Sequence, residues 1–369
     1  MLDETSLRDL PNPVQKHFRR LEHFIVRTIA DHLSSIGHSD LHRMQELQRM
    51  GFNLNHIEQE IANTLNITQQ EVHAALLTAS RAEYSGVRQF QHLYAQSPVP
   101  FGKNISLQAL IQSISATTNG TFSNISNTQA IFLINQNGIA SPLAFMYQEA
   151  IDFAIMQASL GQETFQNVVL QQTRALADGG IRRIGFNSGH TFRIDSAVRQ
   201  NVLWGLGDLN RRQTDLIIEQ TGADGVEITW HDGYRPTHDW GGLQFTLKDY
   251  ANNIRPQMEE PNCYHRAFAI VLGISTPSYD DDDLEALRLK NEKEIEFDGE
   301  TFTLYTAEQR QRKYESAIRQ AQDRVNGYHA ANLDNERLQQ EILLNRLIQD
   351  YNRFSEGVGL KIHLNRLEV

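Results

Sequence analysis

The sequence predicts an α+β protein, mostly helical, with a small mixed α/β central domain and a long helical C-terminal arm. Three observations lead there. Apolar residues recur at helical spacing through residues 1–177, and alternating runs with glycine-marked turns gather in 178–305. Residues 306–369 open on a stretch rich in Gln, Arg, Glu, Ala and Leu. These stretches are the expected domains. With 369 residues, 40% hydrophobic and 21% charged, the chain is long enough for two or three cores of its own.

The first half reads as helices. Pro13 suits a first helical turn, and Phe18, Leu21, Phe24, Ile25, Thr28, Ile29 and Leu33 keep one face apolar up to Gly37. Asp40 is a capping residue for a helix through Leu41, Met44, Leu47 and Met50, with Gly51 as its left-handed stop. A third helix is expected from Asn55 to Leu65. Thr68-Gln69-Gln70-Glu71 has the form of a capping box and should open a long helix to Gln96. Between Ser97 and Ser126, Leu107, Leu110, Ile111 and Ile114 predict one short helix between loops. Ser141 should cap a helix carrying Phe145, Met146, Ala150, Phe153, Ala154 and Met156, and another fits Glu163 to Ala177.

The character then changes. Turns are expected at Asp178-Gly179-Gly180-Ile181 and Asn187-Ser188-Gly189, with a helix from Ile194 to Thr221 carrying Arg199, Arg211 and Arg212 between them and the next strand. Val226 to Trp230 alternates like a strand, Gly233 to Gly242 must be loop, and Arg266 to Ile274 is a second run of strand length. Asp298-Gly299 between alternating residues makes Glu294 to Leu304 a hairpin. Two long helices, broken near Gly327, should fill Thr306 to Phe354 before an extended tail.

Charge and cysteine content exclude several classes. Thirty-four Lys plus Arg against 45 Asp plus Glu leave −11, which argues against a whole-protein grip on DNA or an anionic bilayer and leaves only a local basic patch for either. Arg310, Arg312, Lys313, Arg319 and Arg324 form the densest basic group, but Glu308, Glu315 and Asp323 lie among them, and Arg319 with Glu315 has the spacing of a surface ion pair. Cys263, the single cysteine, has no internal partner for a disulfide, so a reducing compartment fits. The amino-terminal stretch carries acids and a proline pair where a secretion leader needs a basic then an apolar run, and no apolar stretch approaches the roughly 20 residues of a membrane span. A soluble protein is expected.

Chemistry concentrates in two segments. His231-Asp232-Gly233-Tyr234-Arg235-Pro236-Thr237-His238-Asp239 is followed by Pro261-Asn262-Cys263-Tyr264-His265-Arg266. His231, His238, Cys263 and His265 are ligand types that zinc prefers, although the spacing matches no zinc finger. The competing reading is structural: His231 and His265 flank strands and bond to loop carbonyls, while Arg235 pairs with Asp232 or Asp239. Asp280 to Asp283 lacks the interleaving of a calcium loop, and Asp283 reads as a helix cap. Glu294-Ile295-Glu296 reads as hairpin. Neither a phosphate-binding glycine loop nor a Gly-x-Ser-x-Gly elbow is present, and Cys263 with His265 lacks a third group to orient the base.

These motifs, in this order, resemble the phage minor capsid protein 2 family, related to Mu F-like head proteins. Gly189-His190-Thr191-Phe192-Arg193-Ile194-Asp195 stands where that family opens a long helix. His231, Gly233, Arg235, Pro236 and His238 match its His-x-Gly-x-Arg-Pro-x-His loop, and Gly241-Gly242 its following glycine step. Asn262-Cys263-Tyr264-His265, with Gly273-Ile274-Ser275-Thr276-Pro277-Ser278-Tyr279, is the most specific block. Gln309 to Arg319 is similar to its last element. Residues 179–325 carry the resemblance, and the first half matches in length and character alone. The pattern near residue 190 is altered, and Arg255 to Pro261 replaces a glycine-rich stretch, which touches loop detail.

The resemblance implies a structural component of a tailed-phage head, portal-associated, acting in head assembly or DNA delivery. It implies a virion location after assembly in the host cytoplasm, with the portal protein and other head proteins as partners. Residues 1–177 would then be the docking domain. No catalytic residue and no cofactor come with the family, while Gly233, Arg235, Pro236, Asn262 and Pro277 would shape a loop cluster that a structural zinc ion could stabilise. The alternative from another class is a metal-dependent hydrolase or nuclease-type effector using His231, His238, Cys263 and His265.

Overall fold

The structure, a computed structural model, describes residues 4–36, 43–89, 91–123, 131–134, 140–160, 165–180, 182–184 and 191–367. It is mostly helical with small antiparallel sheets, as the sequence predicts. The elements in order are α1 (Glu4–Asp9), α2 (Asn12–Ser35), α3 (Arg43–Gln89), α4 (Ile105–Ser123), β1 (Phe132–Ile134), β2 (Ala140–Pro142), α5 (Leu143–Leu160), α6 (Phe165–Gly179), β3 (Arg182–Ile184) and β4 (Thr191–Arg193). Then come α7 (Ile194–Thr221), β5 (Gly225–Ile228), β6 (Gln244–Thr246), α8 (Leu247–Asp249), a π turn at Tyr250–Ile254, α9 (Arg255–Met258), β7 (Ala267–Ile270), α10 (Asp281–Glu292), β8 (Ile295–Phe297), β9 (Glu300–Phe302), α11 (Leu304–Ala330) and α12 (Asp334–Gly357).

Several elements differ from expectation for physical reasons. The three helices expected between Leu41 and Gln96 are one, α3, which runs through Gly51 and through Thr68-Gln69-Gln70-Glu71. A glycine inside a helix costs only about 1 kcal/mol, and the buried positions Ile57, Ile61, Thr64, Thr68, Val72, Leu76 and Ala79 continue past both points without a break. Thr68 is fully buried with no hydrogen-bond partner for its hydroxyl, so it caps nothing. Gly37, Asp40, Ser126 and the turn at Asn187-Ser188-Gly189 lie outside the described residues, as does Gly189-His190 of the family motif.

The expected short helix after Ser97 is the 19-residue α4, opened by Asn104, whose side chain accepts from the Leu107 N–H at 3.0 Å. The helix expected to begin at Ser141 begins at Leu143, because Ser141 pairs with Leu133 across β1 and β2; these strands interrupt a stretch read as wholly helical. Asp280, and not Asp283, caps α10, accepting from the Asp283 N–H at 2.8 Å. Gly327 sits inside α11, where an added Cβ would come within 2.9 Å of Thr173 Cγ2, so it marks close packing. The break falls at 331–333, with Asn332 at φ +55°. The hairpin stands as predicted, with Asp298 at φ +50° and Gly299 at φ +80°.

The chain forms two compact units. One comprises Met1–Pro13, Gln69–Thr121 and Arg199–Arg310, the other Val14–Thr68, Phe122–Val198 and Gln311–Val369. The first contains the antiparallel sheet β6-β5-β7 and the β8-β9 hairpin. Its core gathers Val226, Ile228, Trp240, Tyr250, Ile254, Met258, Cys263 and Ala267. Buried Arg266 pairs with half-buried Glu83 at 3.4 Å, and Asn210 joins them to the sheet by donating to Glu83 at 3.1 Å and to the Ala267 carbonyl at 3.0 Å.

The second unit contains the antiparallel sheet β2-β1-β3-β4. Phe18, Leu21, Ile25, Ile29 and Leu33 bury the predicted face of α2. Ile318, Tyr351 and Leu367 form a further core, with Leu344, Leu347 and Ile348 packed against it. The basic group of α11 is divided: Lys313 is exposed and Arg310, Arg312 and Arg324 are half-buried, whereas Arg319 turns inward. Arg319 is buried and pairs with Asp195 at 3.0 Å as well as with Glu315 at 3.9 Å. Arg193 binds Glu22 at 2.9 Å and also Asp323. Burial opposes the charge of Asp195, but Arg319, Arg193 and Arg19 outweigh it and hold that carboxyl below its ordinary range.

Candidate functional site

The candidate site lies in the first unit, where the loop after β5 meets the segment leading into β7. The β5–β7 pairing brings them together: Ile228 lies opposite Ala267, the Thr229 N–H donates to the Arg266 carbonyl at 2.9 Å, and the Arg266 N–H donates to Thr229 Oγ1 at 2.9 Å. Residues three beyond one strand and two before the other therefore converge.

The loop is shaped by residues singled out from the sequence. Gly233 sits at φ +67°, its N–H donating to Asn291 Oδ1 at 2.7 Å, and an added Cβ would come within 2.7 Å of the Glu308 carboxylate. Pro236 follows Arg235 in a turn closed by the His238 N–H on the Arg235 carbonyl at 2.7 Å, the position where a fixed φ is favourable. That turn aims His238 inward. Gly242, at φ +80°, donates its N–H to the Ile228 carbonyl at 2.9 Å. On the other segment Asn262 takes φ +62°, and the Cys263 N–H donates to the Glu260 carbonyl at 3.3 Å. Pro277 is exposed, and the Ser278 N–H after it reaches the buried Glu227 carboxylate at 3.2 Å.

Of the four candidate ligands His231, His238, Cys263 and His265, three stand together: His238, Cys263 and His265. One potential ligand atom from each lies within 4.8 Å of the others, and all three residues are buried. Cys263 Sγ is 3.6 Å from His265 Nδ1 and 3.9 Å from His238 Nδ1. His231 is also buried but stands beside this group: its ring is 4.2 Å from that of His265, and its Nδ1 meets the Asp232 carbonyl at 3.0 Å, the loop-carbonyl contact expected of it. Trp240 lies against the rings of His265 (4.5 Å) and His238 (4.9 Å), held by its N–H on Gln257 at 2.9 Å.

Burial sets the charge here. It lowers His231 to about 3 and His238 to about 4, takes His265 well below its usual value, and pushes the Cys263 thiol up. At neutral pH the corner therefore holds neutral imidazoles and a thiol. A nucleophilic cysteine needs the opposite, a lowered pKa and an oriented base. Arg235 pairs with Glu260 and donates to the Pro261 carbonyl at 3.0 Å, in place of the expected Asp232 or Asp239; Asp232 instead binds Lys290 at 2.6 Å.

Other contributors carry no local sequence signal. Arg8 donates to Glu308 at 2.7 Å and to the Asp232 carbonyl at 3.2 Å, and lies over the Tyr264 ring at 4.9 Å. Arg199 donates to Asn12 at 2.9 Å and to the Arg8 carbonyl at 2.8 Å, and buried Arg211 donates to the Met258 carbonyl at 3.2 Å, while Arg212 pairs with Asp208 at 3.2 Å. Trp240, two residues after His238, was open to detection as an aromatic beside the imidazoles.

A family model described as Phage minor capsid protein 2 matches residues 2–349. The chain belongs to the phage minor capsid protein 2 family. That match spans the helical first half as well as the motif-bearing half, and it gives this minor capsid protein a structural role in a phage head. Comparison with curated proteins and with solved structures gives no significant match. Among the described residues no helix is long and apolar enough to cross a membrane.

Proposed function

We propose that this minor capsid protein is portal-associated, present in the head of a tailed phage assembled in the host cytoplasm, and acts there in head assembly or DNA delivery as a scaffold and not as an enzyme. The observation that carries the reading is the family match over residues 2–349. The buried corner supports the non-enzymatic part: its thiol is disfavoured as a thiolate, and its aromatic and imidazole rings pack on one another as core side chains do. The hydrolase or nuclease alternative draws on the same His and Cys residues, but a polymer substrate would have to reach side chains that are 9% exposed or less.

Co-expression with the portal protein encoded in the same phage genome tests this. The expected result is a complex that survives size-exclusion chromatography, and incorporation of the chain into procapsids. Recovery of the portal alone, with procapsids lacking this chain, would overturn portal association.

A further inference from the structure

We propose that His238, Cys263 and His265 form a zinc site that ties the His loop to the segment entering β7, an inference independent of the portal reading. The two sulfur–nitrogen distances fit such an ion, while the third edge, between the imidazole nitrogens, lies within 4.8 Å and closes toward about 3.3 Å on binding. With Zn–S near 2.3 Å and Zn–N near 2.0–2.1 Å, a tetrahedral site separates sulfur from nitrogen by about 3.6 Å. The two Sγ···Nδ1 separations are 3.6 and 3.9 Å.

Both rings are buried: His238 is 2% exposed and His265 1%, and Nε2 of each lacks a hydrogen-bond partner. The nitrogens facing Sγ are the Nδ1 atoms, so metal bonds there leave Nε2 as the outer nitrogen of each ring. For His238 the outer nitrogen lies 3.8 Å from Glu260, beyond hydrogen-bond reach of a carboxylate that Arg235 already holds. Gly241 leaves room at His265, where an added Cβ would come within 3.0 Å of Nε2. Binding replaces the Cys263 S–H bond by an S–Zn bond and releases its proton to solvent, while the imidazoles bind through neutral nitrogen lone pairs. His231 packs alongside, its ring 4.2 Å from that of His265.

The test uses the full chain. Purified from zinc-supplemented medium, it should carry stoichiometric zinc by elemental analysis. Chelation should lower its thermal midpoint by several degrees, and added zinc should restore it. Cobalt(II) titrated into the metal-free protein should produce a thiolate-to-cobalt charge-transfer band. Because Cys263 is the single cysteine, that band reports this site even if the variant Cys263→Ser, expected to abolish it, fails to fold. Sub-stoichiometric zinc together with no cobalt band on the folded wild-type chain would overturn the proposal.

Discussion

His32 shows how a single buried residue couples this protein to pH. It lies on α2 with no exposure, Nδ1 is 2.5 Å from the Tyr147 hydroxyl, and Nε2 is 2.7 Å from Glu46. Asn53 donates to the same hydroxyl at 2.7 Å, which leaves the Tyr147 proton for His32 Nδ1 and makes Nε2 the donor to Glu46. A second ring proton would turn that acceptor into a donor facing a donor. Burial lowers the His32 pKa, outweighing the pull of Glu46. As pH falls below the ordinary histidine value of about 6.5, the unfolded chain therefore binds a proton that the folded chain refuses, and stability declines. Urea denaturation between pH 7 and 5 should show this slope, and His32→Gln should make it shallower whatever its effect on the midpoint. His231, His238 and His265 are lowered too and act with the same sign, so the slope persists in part.

At the scale of elements, α3 offers the sharpest check on why helices here do not stop where local signals say. Gly51 lies within it, and nothing stands within 4 Å of an added Cβ. Gly51→Ala should therefore raise unfolding free energy by up to about 1 kcal/mol, read as a higher urea midpoint at unchanged slope. A loss would mean that the glycine serves a turn. The limits of α7 and the β8-β9 hairpin were legible because periodicity and the Asp298-Gly299 turn are properties of the local chain. The breaks assigned at Gly51 and Thr68 were not real, because α3 runs through both and its buried stripe continues without interruption from Ile57 to Ala79. Strands of three residues, such as β1 and β2, are too short to show alternation. At the site, ligand chemistry within two short segments made His238, Cys263 and His265 visible. The set of neighbours that shapes their loop was hidden: Arg8 and Glu308, 300 positions apart, leave no joint pattern.

For the whole molecule, the charge balance decides how a head protein of this kind meets its surroundings. The formal charge is −11, and the folded state makes fewer cations available than the sequence count suggests. Arg19, Arg211, Arg266 and Arg319 are buried, and Arg193 is engaged by Glu22 and Asp323. Duplex binding rests on Lys and Arg displacing counterions from phosphates, so residues committed to internal carboxylates contribute nothing to it. A labelled duplex titrated with the chain at about 0.15 M salt, where exposed charges are screened beyond about 8 Å, should show no change in anisotropy at micromolar protein. Binding seen only on dilution of the salt would be the weak, non-specific kind. A tight complex whose affinity falls steeply with salt would require an exposed basic track and would move the protein from a scaffold that meets other head proteins to one that grips the packaged genome.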